Sequence, residues 1–313
     1  MYELSYATDA PDRRTWTPAI AVQAVVLAAV LGFLYRHVLY GLVYYWSHNG
    51  DWSHGFVIPL FSLYYLYARR ERLPIWNREP WTAARVAGLL LIGLAFALYL
   101  ASTAMRTEYP KRISLVVCIM GVVMMVCGWP IARWGWFAVA FLVFALPLPE
   151  RLYFQLTMPL RQLAAYVSAG ALQLIFPRIE TEIQGVVVSY MIDGRQGMLD
   201  IEQACSGIRL LMAMSALGVA TAFISDRPVW QRMVIILACL PIAIFCNSIR
   251  VTVTGVLHVM GHSEYATGFW HTLLGLGMLL VAFAIYLGIS YVLSHLFVET
   301  GPQARPEPEP GPA

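Results

Sequence analysis

Long apolar runs, separated by short polar or basic loops, recur along almost the whole chain. A polar stretch covers 1–17, and the first apolar run covers 18–40. Further runs predict membrane helices at 56–67, 86–103, 113–129, 132–148, 206–224, 233–257 and 269–294. Hydrocarbon offers no partner for backbone N–H and C=O groups, so such segments cross as helices that satisfy themselves. The pattern therefore predicts an all-α polytopic membrane protein of about eight transmembrane helices, with both ends in the cytoplasm. Residues 150–176 break the pattern, because Arg151, Gln155, Arg161, Gln162 and Gln173 interrupt them and Pro159 sits in the middle. They read as an amphipathic, interfacial or re-entrant segment. The alternative, a broken transmembrane helix, would reverse the topology downstream.

One substantial stretch is not membrane-like. Residues 185–191 and 198–201 are strand-like and flank Asp193-Gly194, the dipeptide of a tight hairpin turn. A small extracytoplasmic β-hairpin is expected there, leading directly into Cys205. In domain terms the chain divides into a cytoplasmic segment at 1–17, a single transmembrane domain at 18–297 and a disordered cytoplasmic tail at 298–313, rich in Pro, Glu and Gly.

Composition agrees with this pattern and removes several function classes. The chain is 59% hydrophobic and 12% charged, against about 25% charged for a soluble domain. Its net charge of +3 resides in short loops and gives no sign of nucleic-acid binding. The five cysteines (118, 127, 205, 239 and 246) have no C-x-x-C spacing, so neither a disulfide framework nor a metal site is expected. The first apolar run lacks a small-residue cleavage site, so it reads as an anchor and not as a signal peptide. Basic loops at 69–85 and 225–232 belong in the cytoplasm by the positive-inside rule. The loop holding Asp51 and His54, the loop 105–112 and the hairpin then lie outside. The 105–112 loop carries Arg106, Lys111 and Arg112 and fits that side poorly.

The candidate chemistry gathers at one level. Residues 202–209 read Glu-Gln-Ala-Cys-Ser-Gly-Ile-Arg and end a polar run where an apolar helix begins. A helix start offers unpaired N–H groups and a positive dipole end, so a thiol there loses its proton more readily. Taken alone, Cys205 also fits a small buried apolar residue. Arg250 lies 18 residues beyond Arg232, about 27 Å along a helix and near the full hydrocarbon thickness. That puts it at the outer end of its span, either facing a partner or snorkelling to the interface. His271 opens the last span on the same side, beside Trp270. A thiolate can attack a peptide carbonyl, a guanidinium can hold the oxyanion, and an imidazole can protonate the leaving amine.

Ala-Cys205-Ser-Gly-Ile-Arg209, then Asn247-Ser-Ile-Arg250, then His271, resemble the exosortase/archaeosortase family in its bacterial exosortase form. Ser53-His-Gly55 and Pro147-Leu-Pro149 add to the resemblance, which covers roughly 50–295. It implies an integral membrane cysteine transpeptidase or protease. Such an enzyme cleaves C-terminal sorting signals made of a Pro-Glu-Pro-type motif, a transmembrane helix and a basic end. The implied partners are exported proteins carrying such signals, within membrane lipid. The implied location is the bacterial inner membrane, with the active site at the periplasmic face. By resemblance Cys205 is the acyl-thioester nucleophile, with Arg250 and His271 as its catalytic partners. Which of the two donates the proton stays open, although arginine is a poor acid.

Further substrate-contact candidates are Arg209, one turn after Cys205, together with Glu202, Asn247 and His54. Glu202 either orients His271 or, the preferred reading, only marks the interface, and His54 reads at least as readily as a loop residue as one lining the entrance. His258 and His262 read as solvated, and the other four cysteines as packing. No cofactor or metal is expected. The rival readings are a transporter that uses Arg250 and His271 in a pathway, and a component of polysaccharide assembly that needs no thiol.

Overall fold

The computed structural model describes residues 18–74, 82–201, 207–225, 227–266 and 268–296. The chain forms two compact units, Met1–Met158 and Pro159–Ala313.

In the first unit α1 (Pro18–Leu34) and α2 (Arg36–His48) meet at a 75° bend, so the run read as one crossing at 18–40 is broken. The bend falls at Tyr35, which is 3% exposed and whose hydroxyl donates to the Ser114 carbonyl at 3.3 Å. A 3-10 turn at Gly50–Phe56 leads into α3 (Val57–Ala68). That helix has 12 residues and is about 18 Å long, too short to cross hydrocarbon alone. Next come α4 (Thr82–Met105) and α5 (Glu108–Phe141), which approach closely at two glycines. A Cβ on Gly88 would lie 2.7 Å from the Met125 amide nitrogen, and one on Gly121 would lie 3.0 Å from the Gly88 carbonyl oxygen. Helix α5 is interrupted at Gly128, with φ 79° and ψ 178°, just before Pro130. Glycine tolerates that left-handed φ, and proline cannot donate back into the preceding turn. The break falls where the sequence separates the runs 113–129 and 132–148.

Helix α6 (Glu150–Ile175) begins in the first unit and continues into the second. It is one continuous helix over the stretch read as amphipathic. Within the second unit its inner face is Arg161, Ala164, Ala165, Ser168, Ala169 and Leu172, all buried and spaced by three or four residues. Leu163, Tyr166, Val167 and Leu174 are exposed on the other side.

The strands β1 (Glu180–Gln184), β2 (Val187–Ile192) and β3 (Arg195–Asp200) form an antiparallel meander. The β2–β3 turn is the expected Asp193-Gly194, with φ 47° and 77° as a type I′ turn requires. The additional strand is β1, paired with β2 from Glu180↔Met191 to Gln184↔Val187. Tyr190 stands opposite Gly197, where a side chain would collide with its ring. Three helices complete the unit: α7 (Gly207–Ile224), α8 (Val229–Val259) and α9 (Gly268–Leu296). A core of Leu210, Met214, Ile235, Cys239, Ile242, Ala243, Cys246, Ala282 and Tyr286 joins them. The Cys239 sulfur fills the notch left by Gly218, and both Cys239 and Cys246 are packing residues as expected.

By length and composition, four helical segments among the described residues can cross a membrane: Ala83–Met105, Glu108–Ala145, Val229–Val259 and Gly268–His295. Counting the bent α1–α2 pair as one makes five. This establishes a multi-pass membrane protein and falls short of the eight crossings read from the apolar runs. The reasons are local. Two runs fall within α5, α3 is too short, and α7 offers only the shorter apolar stretch Ile208–Ile224.

Candidate functional site

Local structure anchors both sides of the Cys205 run. On one side β3 is followed by Ile201, which is fully buried and whose amide donates to the Val186 carbonyl at 3.1 Å. On the other side Ile208 is 1% exposed in the first turn of α7. Residues 202–206, with Glu202 and Cys205, lie outside the described residues.

The sheet region itself packs against α6 and α8. Val188, Leu199 and Ile201 of the sheet region pack with Ala164, Ala165 and Ala169 of α6 and with Val251 of α8. A Cβ on Gly255 would touch both Leu172 and Leu199 at 3.2 Å, so the sheet and α6 press into α8 where a side chain is missing. Val251 follows Arg250 directly. The strand that leads to Cys205 therefore rests on α8 next to the candidate arginine.

Arg250 is 7% exposed. It is buried within the second unit, on the part of α8 that faces α9. Its Nη1 lies 3.3 Å from where a Cβ on Gly275 would sit, so the guanidinium packs against α9. Gly275 is one helical turn after His271, on the same face of α9. The backbone of His271 lies in the first turn of α9, while its side chain is outside what is described. The structure thus brings Arg250 to the helix face that bears His271. Gly275→Leu is expected to push the guanidinium away and to lower processing on the order of 10²-fold. Gly275→Ala should cost much less, because a side-chain end can retreat by tenths of an ångström. Rates normalised to the amount of inserted protein would check both.

Asn247 is 5% exposed and lines a cavity of about 10 Å³ with Leu160, Leu211, Ala243 and Ile244. That is room for about one water. Helices α6, α7 and α8 converge at this cavity. Arg209, two residues before Leu211, is half-buried near the start of α7.

His54 belongs to the first unit, and its ring has a structural partner there. Nε2 meets the Phe144 carbonyl at 3.2 Å. Nearby, Trp46 Nε1 donates to the Ala145 carbonyl at 2.8 Å, and the Tyr153 hydroxyl donates to Asp51 at 2.9 Å. These bonds tie residues 144 and 145 and the first turn of α6 to the 46–54 region. Burial pushes the His54 pKa down, opposed in part by the bond to Phe144. A buried neutral histidine stabilises the fold above its unfolded pKa of about 6.5 and loses that contribution as pH falls below it. Thermal stability in detergent should therefore drop from pH 7 to pH 5 more steeply in the natural chain than in His54→Asn.

Among the described residues no three His, Cys, Asp or Glu side chains cluster as a metal site would. A family model described as transmembrane exosortase matches residues 46–288, more than half of the chain. The chain belongs to the transmembrane exosortase family. Searches of curated proteins and of solved structures found no match. In this exosortase the matched region contains Cys205, Arg250 and His271 and runs from the end of α2 into α9.

Sequence reading passed over one residue of interest at this level, Arg161. It served only as a sign of amphipathic character. The available signal was its spacing, three and four residues before Ala164 and Ala165, which sets a cation on the small-residue face of α6.

Proposed function

We propose that this exosortase is a cysteine transpeptidase or protease of the bacterial inner membrane. Its substrates are exported proteins that end in a short motif, an apolar helix and a basic cluster. The observation that carries the reading is the buried Arg250 guanidinium. It packs on the α9 face of His271, next to the sheet that feeds the Cys205 run.

The Cys205 thiolate attacks the scissile carbonyl carbon, and the C–N bond breaks. The leaving amine takes a proton, for which His271 is the suited donor. Arg250 donates from its planar fork to the oxyanion that forms in the transition state. The acyl group, now a thioester on Cys205, passes to an incoming amine or to water and the thiol is restored. The reaction needs neither a metal nor a redox step. Buried cationic donors are more effective there than in water, because water competes less for the oxyanion.

The test is co-expression with a reporter ending in Pro-Glu-Pro, an apolar helix and an arginine cluster. A cleaved product is expected in the natural chain, and added hydroxylamine should capture the acyl group as a hydroxamate. Intact reporter under conditions where the enzyme inserts would sink the reading.

The proposal also fixes sidedness, with eight membrane-crossing or membrane-embedded segments, both ends inside and the sheet at the periplasmic face. A periplasm-active reporter enzyme fused at Gly194 should be active, and the same fusion at Arg227 silent. The opposite pair of results would invert the topology and remove the thiol from the exported substrate.

A further inference from the structure

The two edges of the three-stranded sheet differ. Asp193-Gly194 is a two-residue loop, so Ile192 and Arg195 face each other as a pair that exchanges both backbone bonds. The pairs Tyr190↔Gly197 and Val188↔Leu199 follow in the same alternation, and the Ile201 amide on the Val186 carbonyl continues it. Gln196 and Met198 stand between these pairs, so their N–H and C=O groups point away from β2, toward the outer edge of β3. Among the described residues no backbone group bonds to either of them across that edge. Both residues are exposed, Met198 at 71%.

On the opposite edge the same alternation turns Thr181 and Ile183 of β1 outward. That edge is covered. Gln173 of α6 donates to the Thr181 hydroxyl at 2.8 Å, and Ile183 packs against the core between the sheet, α6 and α8. The exposed Glu180 and Glu182 add charge along β1, a common protection of sheet edges. Strand β3 lacks such protection. Between Arg195 and Asp200 it carries no charge and no proline, and its register with β2 has no bulge. Its inner side is held in place, because Leu199 packs on α6 and α8 and the Tyr190 ring lies against Gly197. Regularly spaced N–H and C=O groups along a fixed edge recognise one kind of partner, an extended peptide backbone.

Resting on the transpeptidase reading, we propose that the outer edge of β3 is a docking strand: the extended substrate segment ahead of the apolar helix adds to the sheet as a fourth strand, through the backbone groups of Gln196 and Met198. Strand β3 runs from the exposed tip toward the buried base, and Cys205 follows five residues after Asp200 in the sequence. With the sheet at the periplasmic face, a substrate that comes from the periplasm and ends in the membrane runs along β3 in the same sense. The added strand is therefore parallel. In parallel pairing only alternate residues of the newcomer bond to β3, so prolines at the positions between are accommodated. Such pairing sets the direction and register of the segment with little demand on its side chains.

The test uses the full chain in membranes with the reporter described above. Met198→Pro removes one outward N–H and leaves every β2–β3 bond in place, and Gly197 before it accepts the extended backbone that a following proline favours. It should raise KM for the reporter about fivefold, the scale of one backbone hydrogen bond, with kcat within a few fold. An unchanged KM would overturn the proposal. So would a rise in Met198→Ala as large as in Met198→Pro, because Met198→Ala keeps the N–H and loses only the side chain. If Met198→Pro fails to insert, cross-linking decides. Met198→Cys is combined with Cys205→Ser, so that the reporter stays whole, and single cysteines are placed at successive positions ahead of the reporter's apolar helix. Disulfides at every second reporter position support strand pairing, and disulfides at all positions alike, or at none, overturn it. An enzyme dimer joined through Met198→Cys in place of an enzyme–reporter product would give the edge to a second copy and likewise overturn it. Cross-linking needs no catalysis, so alternating disulfides without cleavage by the natural chain would remove the transpeptidase reading and keep the docking strand.

Discussion

Cys205→Ser is expected to leave the protein inserted and to abolish processing, with a loss on the order of 10³-fold or more. A hydroxyl is far less acidic than a thiol and is hardly ionised near neutral pH. The physical support lies in the surroundings of the run. A helix start follows it, Ile201 before it and Ile208 after it are buried, and β3 rests on α8 beside a buried guanidinium. A helix start and a nearby cation each favour a thiolate over a thiol. An impermeant thiol reagent applied from the periplasmic side should therefore modify Cys205 first and stop cleavage. Cys118, Cys239 and Cys246 are buried and Cys127 is half-buried within α5, so the labelling reports on one position. Arg250→Ala should slow that labelling at pH 6–7 and leave it nearly unchanged at high pH, where any accessible thiol is ionised. A transporter would tolerate Cys205→Ser, and normal cleavage by that variant would end the cysteine mechanism.

Arg250→Lys is the second large effect, expected to lower kcat on the order of 10²-fold with normal membrane insertion. Lysine retains the positive charge at the end of a flexible chain but loses the planar pair of donors. The Arg250 head group lies against the Gly275 position, where α9 leaves space for a flat group. An ammonium in that slot reaches neither the same depth nor the same two directions. Single-turnover rates for Arg250→Lys and Arg209→Lys would separate the two arginines. Loss at Arg209 with near-normal chemistry at Arg250 would move the oxyanion role to α7.

Where the fold was legible, a local rule was sufficient. Asp193-Gly194 announced its turn because few other dipeptides accept two positive φ angles. Gly128 with Pro130 announced the break in α5 for a similar reason. Strand β1 was missed because Glu-Thr-Glu-Ile-Gln has one apolar side chain and gains its strand character from pairing with β2. The bend at Tyr35 has Gly32 one turn before it, but a lone glycine inside an apolar run does not announce a 75° break. It rests on a hydrogen bond to Ser114, 79 positions away, which no local window contains. At the site, burial of Arg250 and Arg161 was hidden for the same reason. Helical spacing gives a face, but only the neighbouring helix and sheet decide whether that face meets lipid or protein. The count of eight crossings is not confirmed, because apolar runs such as α3 are shorter than a crossing helix.

The three-stranded sheet also bears on how this protein varies among its relatives. At its base Val188, Leu199 and Ile201 are at most 1% exposed and wedge against α8 at the Gly255 gap. At its tip Asp193, Gly194, Arg195 and Gln196 are all exposed. An added or lost pair of residues at the tip lengthens or shortens a hairpin without moving anything beneath it. A single residue gained at the base would rotate every side chain of β3 to the opposite face. Length differences between relatives should therefore accumulate at 193–196 and be missing from 198–201. Insertion at the outer end of the sheet is therefore expected to be tolerated where insertion at its inner end is not.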